Sequence, residues 1–338
     1  MSKTSVLLGI ETSCDDTAAA VLVDGKLASS VVSSQPQHVE FGGVVPEIAS
    51  RAHEKLLVSV VESALQKAGV KKNDLTGLVV TKGPGLIGSL MVGVSFTKAL
   101  SVGLRIPFIG VNHLEGHLAS LFLSEQTPPY PHLCLIVSGG HTQLMRIDAP
   151  GKFLILGKTR DDAAGEAFDK VGKIMGLDYP AGPLIDKLSV SGNRAFHSFP
   201  RTRLKGYDYS FSGIKTSVLY YLNSFEEEER LIHLQSSLPD LCASFQEAVV
   251  DMLLSPVKKA VKDTGIRHVG LVGGVSANSR LRKRMSGLMD AQHGQMYVPD
   301  MAYCMDNAAM IAMAGHLRLE LGEQSALSEI ANPSLKLL

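Results

Sequence analysis

The feature that most constrains the fold of this 338-residue chain is a pattern of elements that occurs twice. Near the N-terminus, Val6–Ile10 is predicted to form a buried strand, Glu11–Asp16 a polar turn and Thr17–Val23 a return strand. The same order returns much later, with a strand, a polar turn and a strand predicted over Leu133–Val137, Ser138–Thr142 and Gln143–Ile147. A chain that restarts in this way is expected to build two related halves.

A second set of elements also occurs in both halves, as a strand, a glycine loop and a helix. Leu78–Thr81 precedes the glycine loop Lys82–Gly88 and an amphipathic segment that continues to Leu100. The later copy has its strand, loop and helix predicted over Val269–Val272, Gly273–Asn278 and Arg280–Met289. We therefore predict two α/β lobes, over residues 1–120 and 130–325, with a helical insertion near residues 160–240.

The remaining helices are predicted from apolar residues at helical spacing. One helix ends at Ala68, where Gly69 suits the position after the last turn. Pro239 is predicted to open another helix, and Pro256 is predicted to kink or end it. One face of that second helix has apolar residues at Leu241, Phe245, Val249 and Met252.

Composition limits the partners and the compartment. Lys plus Arg and Asp plus Glu both number 33, so no global charge attracts nucleic acid or an anionic membrane. The longest uncharged stretch, Gly83–Thr97, is too short to span a bilayer. The four cysteines are far apart, which favours a reducing compartment, and no signal peptide precedes Glu11. We predict a cytoplasmic protein that does not bind a membrane.

Two histidines four residues apart, His113 and His117, indicate a metal site, because this spacing places both on one face of a helix. Two polar residues on a helix surface are the alternative. Glu115 is two positions after His113 and so points away from that face, which argues against a zinc peptidase of the His-Glu-x-x-His type. Asp306, before a helix of small residues, is the candidate third ligand; Asp306-Asn307 is otherwise typical of a helix N-cap.

Glycine turns and acidic residues supply candidates for a nucleotide site. The turns at Ser138-Gly-Gly and Gly273-Gly present backbone N–H groups that are suited to phosphate oxygens, or they are simple turns. The acidic run Asp161–Lys170 is either a solvated first turn of a helix or a site in which Asp169 accepts from ribose hydroxyls. Asp15 is either a general base or a turn residue that bonds its own backbone.

Together these segments resemble the tRNA N6-adenosine threonylcarbamoyltransferases (TsaD type), a family long described as O-sialoglycoprotein endopeptidases. The likeness covers nearly the whole chain. The segments that carry it begin at Gly9-Ile-Glu-Thr-Ser-Cys, Gly42-Gly-Val-Val-Pro-Glu, Gly83-Pro-Gly-Leu, His113-Leu-Glu-Gly-His, Val137-Ser-Gly-Gly-His, Asp161-Asp-Ala-Ala-Gly, Asp208-Tyr-Ser-Phe-Ser and Gly273-Gly-Val-Ser-Ala-Asn.

The resemblance implies the duplicated actin-like ATPase (ASKHA) superfold, with two lobes and a central cleft. It implies one divalent metal, Fe²⁺ before Zn²⁺, on His113, His117 and Asp306. The positions that match the family's substrate-binding residues are Ile136, Val137, Ser138, Gly139, Gly140, Asp169, Gly182, Asp186 and Asn278.

The activity implied is transfer of the threonylcarbamoyl group of threonylcarbamoyl-AMP to N6 of adenosine 37 in ANN-decoding tRNAs. The implied partners are tRNA, a paralogous non-catalytic actin-like subunit and a small P-loop ATPase. Basic clusters at Arg201–Lys205 and Arg280–Arg284 are either phosphate contacts or solvated faces. An ATPase or small-molecule kinase of the same superfold is the alternative function, but it leaves the histidine pair unexplained.

Overall fold

The computed structural model of the protein describes residues 4–41 and 43–337. Gly42, the first residue of one segment quoted above, lies outside the described residues. The elements up to residue 123 are β1 (Val6–Glu11), β2 (Asp16–Val23), β3 (Lys26–Ser34), α1 (Pro46–Ala68), β4 (Gly77–Gly83), α2 (Ile87–Leu104), β5 (Phe108–Asn112) and α3 (His113–Ala119), with 3-10 turns at Pro36–Phe41, Lys72–Asp74 and Ser120–Leu123.

The elements after residue 127 begin with a second antiparallel hairpin and end with a helix of small residues. They are β6 (His132–Val137), β7 (Thr142–Ala149), β8 (Lys152–Lys158), α4 (Ala164–Ile174), α5 (Ala181–Ser189), α6 (Ser212–Asn223), α7 (Glu227–Thr264), β9 (His268–Val272), α8 (Ser279–Ala291), β10 (Gln295–Tyr297) and α9 (Ala308–Leu319), with 3-10 turns at Gly274–Ala277 and Met301–Tyr303.

Two five-stranded sheets confirm the predicted duplication. Within the described residues the first sheet has the order β3-β2-β1-β4-β5 and the second the order β8-β7-β6-β9-β10. In both sheets the first three strands are antiparallel and the last two add in parallel, as the pairs β1 with β4 and β6 with β9 show. The two predicted hairpins therefore occupy equivalent places. At the first, Asp24 and Gly25 both have positive φ, 48° and 74°, as a two-residue hairpin turn requires.

The division of the chain differs from the predicted boundaries. One compact unit takes Met1–Thr127 together with Pro299–Leu338, and the other takes Pro128–Val298. Residues 299–325, predicted to belong to the C-terminal lobe, therefore belong to the first unit. The reason is the packing of α9, whose small residues allow a close approach to β1. A Cβ on Gly9 would lie 2.6 Å from the Ala308 carbonyl oxygen and 2.7 Å from the Ala312 Cβ.

The helices α1 and α2 cover one face of the first sheet. The fully apolar side of α1 includes Leu57 and Val61, and Val94 of α2 joins the same cluster. Gly69 follows α1 with φ of 66°, as predicted. The helix α2 meets the length and composition of a membrane span, because it continues past Gly83–Thr97 to Leu104; a core helix passes the same test.

The long helix α7 forms the centre of the second unit's core. It begins at Glu227 rather than at Pro239, and it continues through both Pro239 and Pro256 to Thr264. The predicted helix start at Pro239 and the predicted end at Pro256 were therefore wrong, while a kink at Pro256 stays a prediction. Each proline removes one backbone N–H from the helix, but the burial of residues on both sides of Pro256, such as Leu253 and Val257, outweighs that loss.

Candidate active site

A short, almost fully buried helix presents the histidine pair. The helix α3 starts directly after β5, where Asn112 caps it by accepting a hydrogen bond from the Leu114 N–H at 2.8 Å. The rings of His113 and His117 lie edge to face with their centroids 4.8 Å apart. Leu114 and Leu118 are buried in the core around them, so packing fixes the helix and both rings. The predicted shared face is confirmed.

Asp306 lies against both histidines from the turn before α9. Its Oδ1 is 3.5 Å from the His113 Nε2 and 3.3 Å from the His117 Nε2, and all three candidate ligand atoms lie within 4.8 Å of one another. Asn307, not Asp306, caps α9, because its Oδ1 accepts from the Met310 N–H at 2.9 Å. The Asn307 amide also donates to the Met305 carbonyl at 2.7 Å, which fixes the turn that presents Asp306.

This arrangement fits a metal ion. Two ligands bound at about 2.1 Å in tetrahedral geometry lie about 3.4 Å apart, close to both histidine-to-aspartate distances. Among the described residues, the buried His117 Nδ1 has no hydrogen-bond partner, and its Nε2 has the 3.3 Å ion-pair contact with the Asp306 Oδ1 without a hydrogen bond of good geometry. A buried imidazole with so few polar contacts is costly unless something else binds it. Two imidazoles and one carboxylate are a donor set that iron and zinc both accept.

A second set of groups, which the sequence reasoning missed, orients His113. The Glu11 Oε2 lies 3.2 Å from the His113 Nδ1, and the Ser13 Oγ lies 3.1 Å from the same nitrogen. The Glu11 carboxylate also accepts from the Thr81 hydroxyl at 2.5 Å and from the Ser13 N–H. Glu11 is 1% exposed. A charged residue that ends an otherwise apolar buried strand was the signal available in the sequence.

Charges in this cluster shift one another's titration. Burial alone disfavours the charged form of His113, but the Asp306 and Glu11 carboxylates raise its pKa well above the ordinary value. Burial raises the pKa of Asp306, and His113 and His117 reverse that effect and hold the pKa well below its usual range. The Glu11 pKa is lowered in the same way, since His113 more than offsets burial. The carboxylates therefore stay ionised.

Glu115 takes no part in this cluster. Its Oε2 lies 3.4 Å from the Arg318 guanidinium of α9, on a different side of α3 from the two histidines. The prediction that this acid points away from the metal face is confirmed, and a metallopeptidase arrangement is absent from the described residues around His113.

The first hairpin turn holds two further acids. Asp15 lies in the turn, two residues after Ser13, and is partly exposed. Its neighbour Asp16 begins β2, and burial raises the Asp16 pKa to about 6 while a hydrogen bond with Ser34 opposes the rise. Since a general base works best with a pKa near the operating pH, Asp16 is a second candidate that the sequence reasoning missed.

The second hairpin turn, in the other unit, is open. Ile136 and Val137 end β6 fully buried, and Ser138 begins the turn. A Cβ built on Gly139 or Gly140 would meet nothing within 4 Å. The protein's own packing therefore does not require these glycines, and their backbone is free to approach an outside group.

The other candidate residues of this unit make hydrogen bonds around α5 and the start of α8. The Asp169 carboxylate accepts from the Ala181 N–H at 2.9 Å and so fixes the start of α5, where a Cβ on Gly182 would lie 3.9 Å from the Phe168 Cβ. Further along α5, Asp186 accepts from the backbone and the hydroxyl of Ser279, at 3.0 and 2.9 Å. Asn278 caps α8 through the Leu281 N–H at 2.9 Å, and its amide donates to Gln246.

Close contacts connect the end of β6 and the glycine turn after it to the neighbouring elements. Gly273, before the 3-10 turn that leads to Asn278, packs against Val137, since a Cβ there would lie 2.5 Å from the Val137 carbonyl oxygen. The Gly165 N–H donates to the Ser138 carbonyl at 3.3 Å, which joins α4 to the glycine turn. The unit therefore brings together residues that are up to 142 positions apart in the sequence, Ile136 and Asn278.

The chain is similar to known proteins over nearly its whole length. The sequence profile of the TsaD family, tRNA N6-adenosine threonylcarbamoyltransferase, matches residues 26–313. The chain belongs to this family. It is 55% identical over 333 residues to the tRNA N6-adenosine threonylcarbamoyltransferase of Salinibacter ruber, covering 98% of this chain and 100% of that one. It is 47% identical to the enzyme of the same name from Riemerella anatipestifer, covering 99% of both chains.

Two solved structures share the fold at low identity. Full-length HypF in its phosphate- and nucleotide-bound form matches with a TM-score of 0.62 at 13% identity, over 96% of this chain and 57% of that one. The activator of 2-hydroxyisocaproyl-CoA dehydratase from Clostridium difficile, with bound ADPNP, matches with a TM-score of 0.52 at 17% identity, over 96% and 100%. The fold is therefore the duplicated actin-like ATPase superfold, as predicted.

Proposed function

We propose that this chain carries out the transfer that defines its family: the threonylcarbamoyl group moves from threonylcarbamoyl-AMP to N6 of adenosine 37 in ANN-decoding tRNAs. A bond forms between N6 and the carbamoyl carbon, and the bond from that carbon to the phosphate oxygen breaks. AMP leaves, and one N6 proton passes to a base. Family membership over residues 26–313 is the observation that carries this proposal.

The proposed metal ligands are His113, His117 and Asp306. Convergence of both Nε2 atoms on one Asp306 oxygen and the absence of a hydrogen bond to the buried His117 Nδ1 within the described residues support them. A divalent ion held there, Fe²⁺ before Zn²⁺, supplies Lewis-acid polarisation of substrate oxygens. Glu11 and Ser13 hold the His113 ring through Nδ1, so its Nε2 stays directed at Asp306.

The donor is proposed to bind the second unit. The open backbone at Ser138, Gly139 and Gly140 suits the phosphate, and the end of β6 at Ile136 and Val137 places that turn. Asp169, Gly182, Asp186 and Asn278 complete the proposed site. Asp169 and Asn278 already cap helices, so their first effect is to hold the starts of α5 and α8 in place.

The base that accepts the N6 proton is proposed to be Asp15, which is partly exposed in the first hairpin turn. Asp16 is the alternative, because its pKa is raised to about 6. Separate Asp15→Asn and Asp16→Asn variants distinguish them. Loss of the base lowers kcat by about 10²-fold or more while the KM of the donor changes little.

The proposed partners extend beyond tRNA to a paralogous non-catalytic actin-like subunit and a small P-loop ATPase. Exposed apolar side chains on α1 and α2, Val58, Met91 and Val102, are surfaces that a partner could cover. A tRNA substrate supports a cytoplasmic location.

The test is a reconstituted reaction. The chain and its partners are incubated with threonylcarbamoyl-AMP and an unmodified ANN-decoding tRNA transcript, and the nucleosides are analysed by mass spectrometry. We expect N6-threonylcarbamoyladenosine from the wild type and none from the His113→Ala, His117→Ala double variant. A wild-type assembly that makes none, yet phosphorylates a small molecule with ATP, would establish the kinase alternative. A double variant with full metal content and activity would exclude the ligand assignment.

A further inference from the structure

Two basic clusters that are far apart in the sequence meet on α7. The Arg201 Nε donates to the Asp251 Oδ2 at 2.7 Å, and the Arg284 guanidinium donates to the Asp251 Oδ1 at 2.7 Å. Asp251 is a residue of α7, whereas Arg284 belongs to α8 and Arg201 to the loop before α6. One carboxylate therefore joins the two clusters into a single surface.

A second carboxylate extends this surface by one turn of α7. The Arg280 guanidinium makes two bonds to Glu247, at 2.6 and 2.9 Å, and Arg284 also donates to it. The Arg194 Nε lies 4.0 Å from the same carboxylate. Arginines that share acids in this way are held in fixed positions, since several bonds restrict each side chain.

The loop from Arg201 to Tyr207 runs along α7. Arg201 contacts Asp251, and the Tyr207 hydroxyl donates to the Asp263 Oδ2 at 2.7 Å. The helix rises about 18 Å over the twelve residues between these two acids. The loop follows this stretch of the helix and turns at its end, where Gly206 has φ of 79°.

Further basic side chains line the same stretch. Arg203 and Lys205 are exposed in the loop. Lys258 and Lys262 are exposed on α7, seven and eleven residues after Asp251, and therefore share its face of the helix. Arg282 is different, because its Nε donates to the Ser276 carbonyl at 2.6 Å.

We define the α7 strip by its ten basic residues and the four acids beside them. The acids are Glu247, Asp251, Asp263 and Asp240, whose carboxylate accepts from the Asn193 N–H at 2.6 Å beside Arg194. The fourteen residues carry a formal net charge of +6 in a chain whose net charge is zero. The basic residues are Arg194, Arg201, Arg203, Lys205, Lys258, Lys259, Lys262, Arg280, Lys283 and Arg284.

We infer that the α7 strip binds the phosphate backbone of the tRNA substrate, an inference that rests on the proposed function. Basic side chains spread along about 18 Å of α7 suit the repeated negative charges of a nucleic-acid backbone. The centre of a protein interface is instead depleted of charged residues, whereas this strip is charged along its whole length.

The test replaces three exposed lysines of the strip, Lys205→Gln, Lys258→Gln and Lys283→Gln, in one chain. None of the three makes an ion pair within the described residues, so their loss leaves the arginine network intact. The matched control carries Lys26→Gln, Lys72→Gln and Lys152→Gln, which are equally exposed elsewhere and remove the same charge.

Two readouts are measured on the assembly that is active in the transfer reaction. The KM for an unmodified tRNA transcript is expected to rise about ten-fold or more in the strip variant, with kcat and the donor KM unchanged. The slope of log affinity against log salt, from fluorescence anisotropy, is expected to fall by about 2 to 3. The control variant keeps wild-type values, and a third variant with arginine at the three strip positions regains them.

Two results would overturn the inference. One is a strip variant with the tRNA KM and the salt slope of the control. The other is a strip variant that binds tRNA normally but no longer assembles with its partner subunits, which would assign the strip to an acidic protein surface. Failure of the proposed function looks different, because then the wild-type assembly makes no modified nucleoside at all.

Discussion

The substitution Glu11→Gln tests whether the carboxylate of Glu11, and not only the size of its side chain, orients His113. The substitution keeps the shape of the side chain but leaves one oxygen where the carboxylate has two. In the structure that carboxylate accepts from three donors, the Ser13 N–H, the Thr81 hydroxyl and the His113 Nδ1. The single amide oxygen of glutamine cannot accept from both the Ser13 N–H and the His113 Nδ1, which lie at different carboxylate oxygens. One of these donors must therefore lose its acceptor.

Both orientations of the amide are costly. With its NH₂ group towards the Ser13 N–H, two donors face each other in a buried site, which costs about 1–3 kcal/mol. With its NH₂ group towards His113, the Nδ1 must accept and the ring proton moves to Nε2, the nitrogen directed at Asp306. That proton then competes with a metal ion. We expect metal affinity to fall about 10–100-fold, equivalent to about 1.4–2.8 kcal/mol.

The assay is competition for Zn²⁺ with a chromophoric chelator, alongside thermal melting. The matched control is Glu115→Gln, the same substitution at a buried acid on α3 that contacts Arg318 instead of the cluster. We expect the control to bind Zn²⁺ as the wild type does. If Glu11→Gln binds Zn²⁺ with unchanged affinity while it remains folded, the reasoning that Glu11 orients His113 is refuted.

Three further predictions concern stability. Gly9→Ala should lower the free energy of unfolding by about 1–3 kcal/mol, because its Cβ would meet α9 backbone atoms. The Cβ of Gly103→Ala would meet nothing, so this substitution should raise the free energy of unfolding by about 0.5–1 kcal/mol. Urea unfolding measures both. Asn307→Ala should cost about 0.5–2 kcal/mol in the same assay and weaken Zn²⁺ binding, since it caps α9 and fixes the turn of Asp306; unchanged values would contradict this. Arg201 and Arg284 lower the pKa of Asp251 against burial, so its stabilisation is present above the unfolded pKa of about 3.9 and is lost as pH falls through the folded pKa; Asp251→Asn should flatten stability against pH in that window.

Local sequence patterns predicted most of the fold. The alternation of apolar strands with polar turns predicted both hairpins, and each strand-loop-helix repeat appears where its apolar spacing placed it. The histidine spacing predicted α3 and its shared face. These features depend on residues close in the sequence, so the backbone periods alone are enough to find them.

Long-range packing accounts for what the sequence reasoning missed. Nothing near residue 306 shows that α9 packs on β1, because the signal is shared between Gly9 and the small residues of α9. Likewise Pro256 predicts a helix end from the sequence alone, because the burial of the residues around it is known only from the structure. Glu11 and His113 are 102 positions apart, and only the parallel pairing of β1, β4 and β5 brings them together.

The two equivalent hairpin turns have diverged, and Gly139→Ala tests what the second one does. The first turn is rich in side chains, with Glu11 and Ser13 holding His113, whereas the second presents bare backbone at Gly139 with nothing within 4 Å of an added Cβ. A methyl group there strains no native contact, so the free energy of unfolding should change by less than about 0.5 kcal/mol. If the donor phosphate lies against this turn, the same methyl group costs about 1–3 kcal/mol of overlap and raises the donor KM about 5–150-fold. The control is Gly287→Ala at an exposed position of α8, which should leave the donor KM unchanged and raise the free energy of unfolding by about 0.5–1 kcal/mol. A Gly139→Ala variant with a wild-type donor KM would place the donor elsewhere, because the added methyl group has no protein atom within 4 Å.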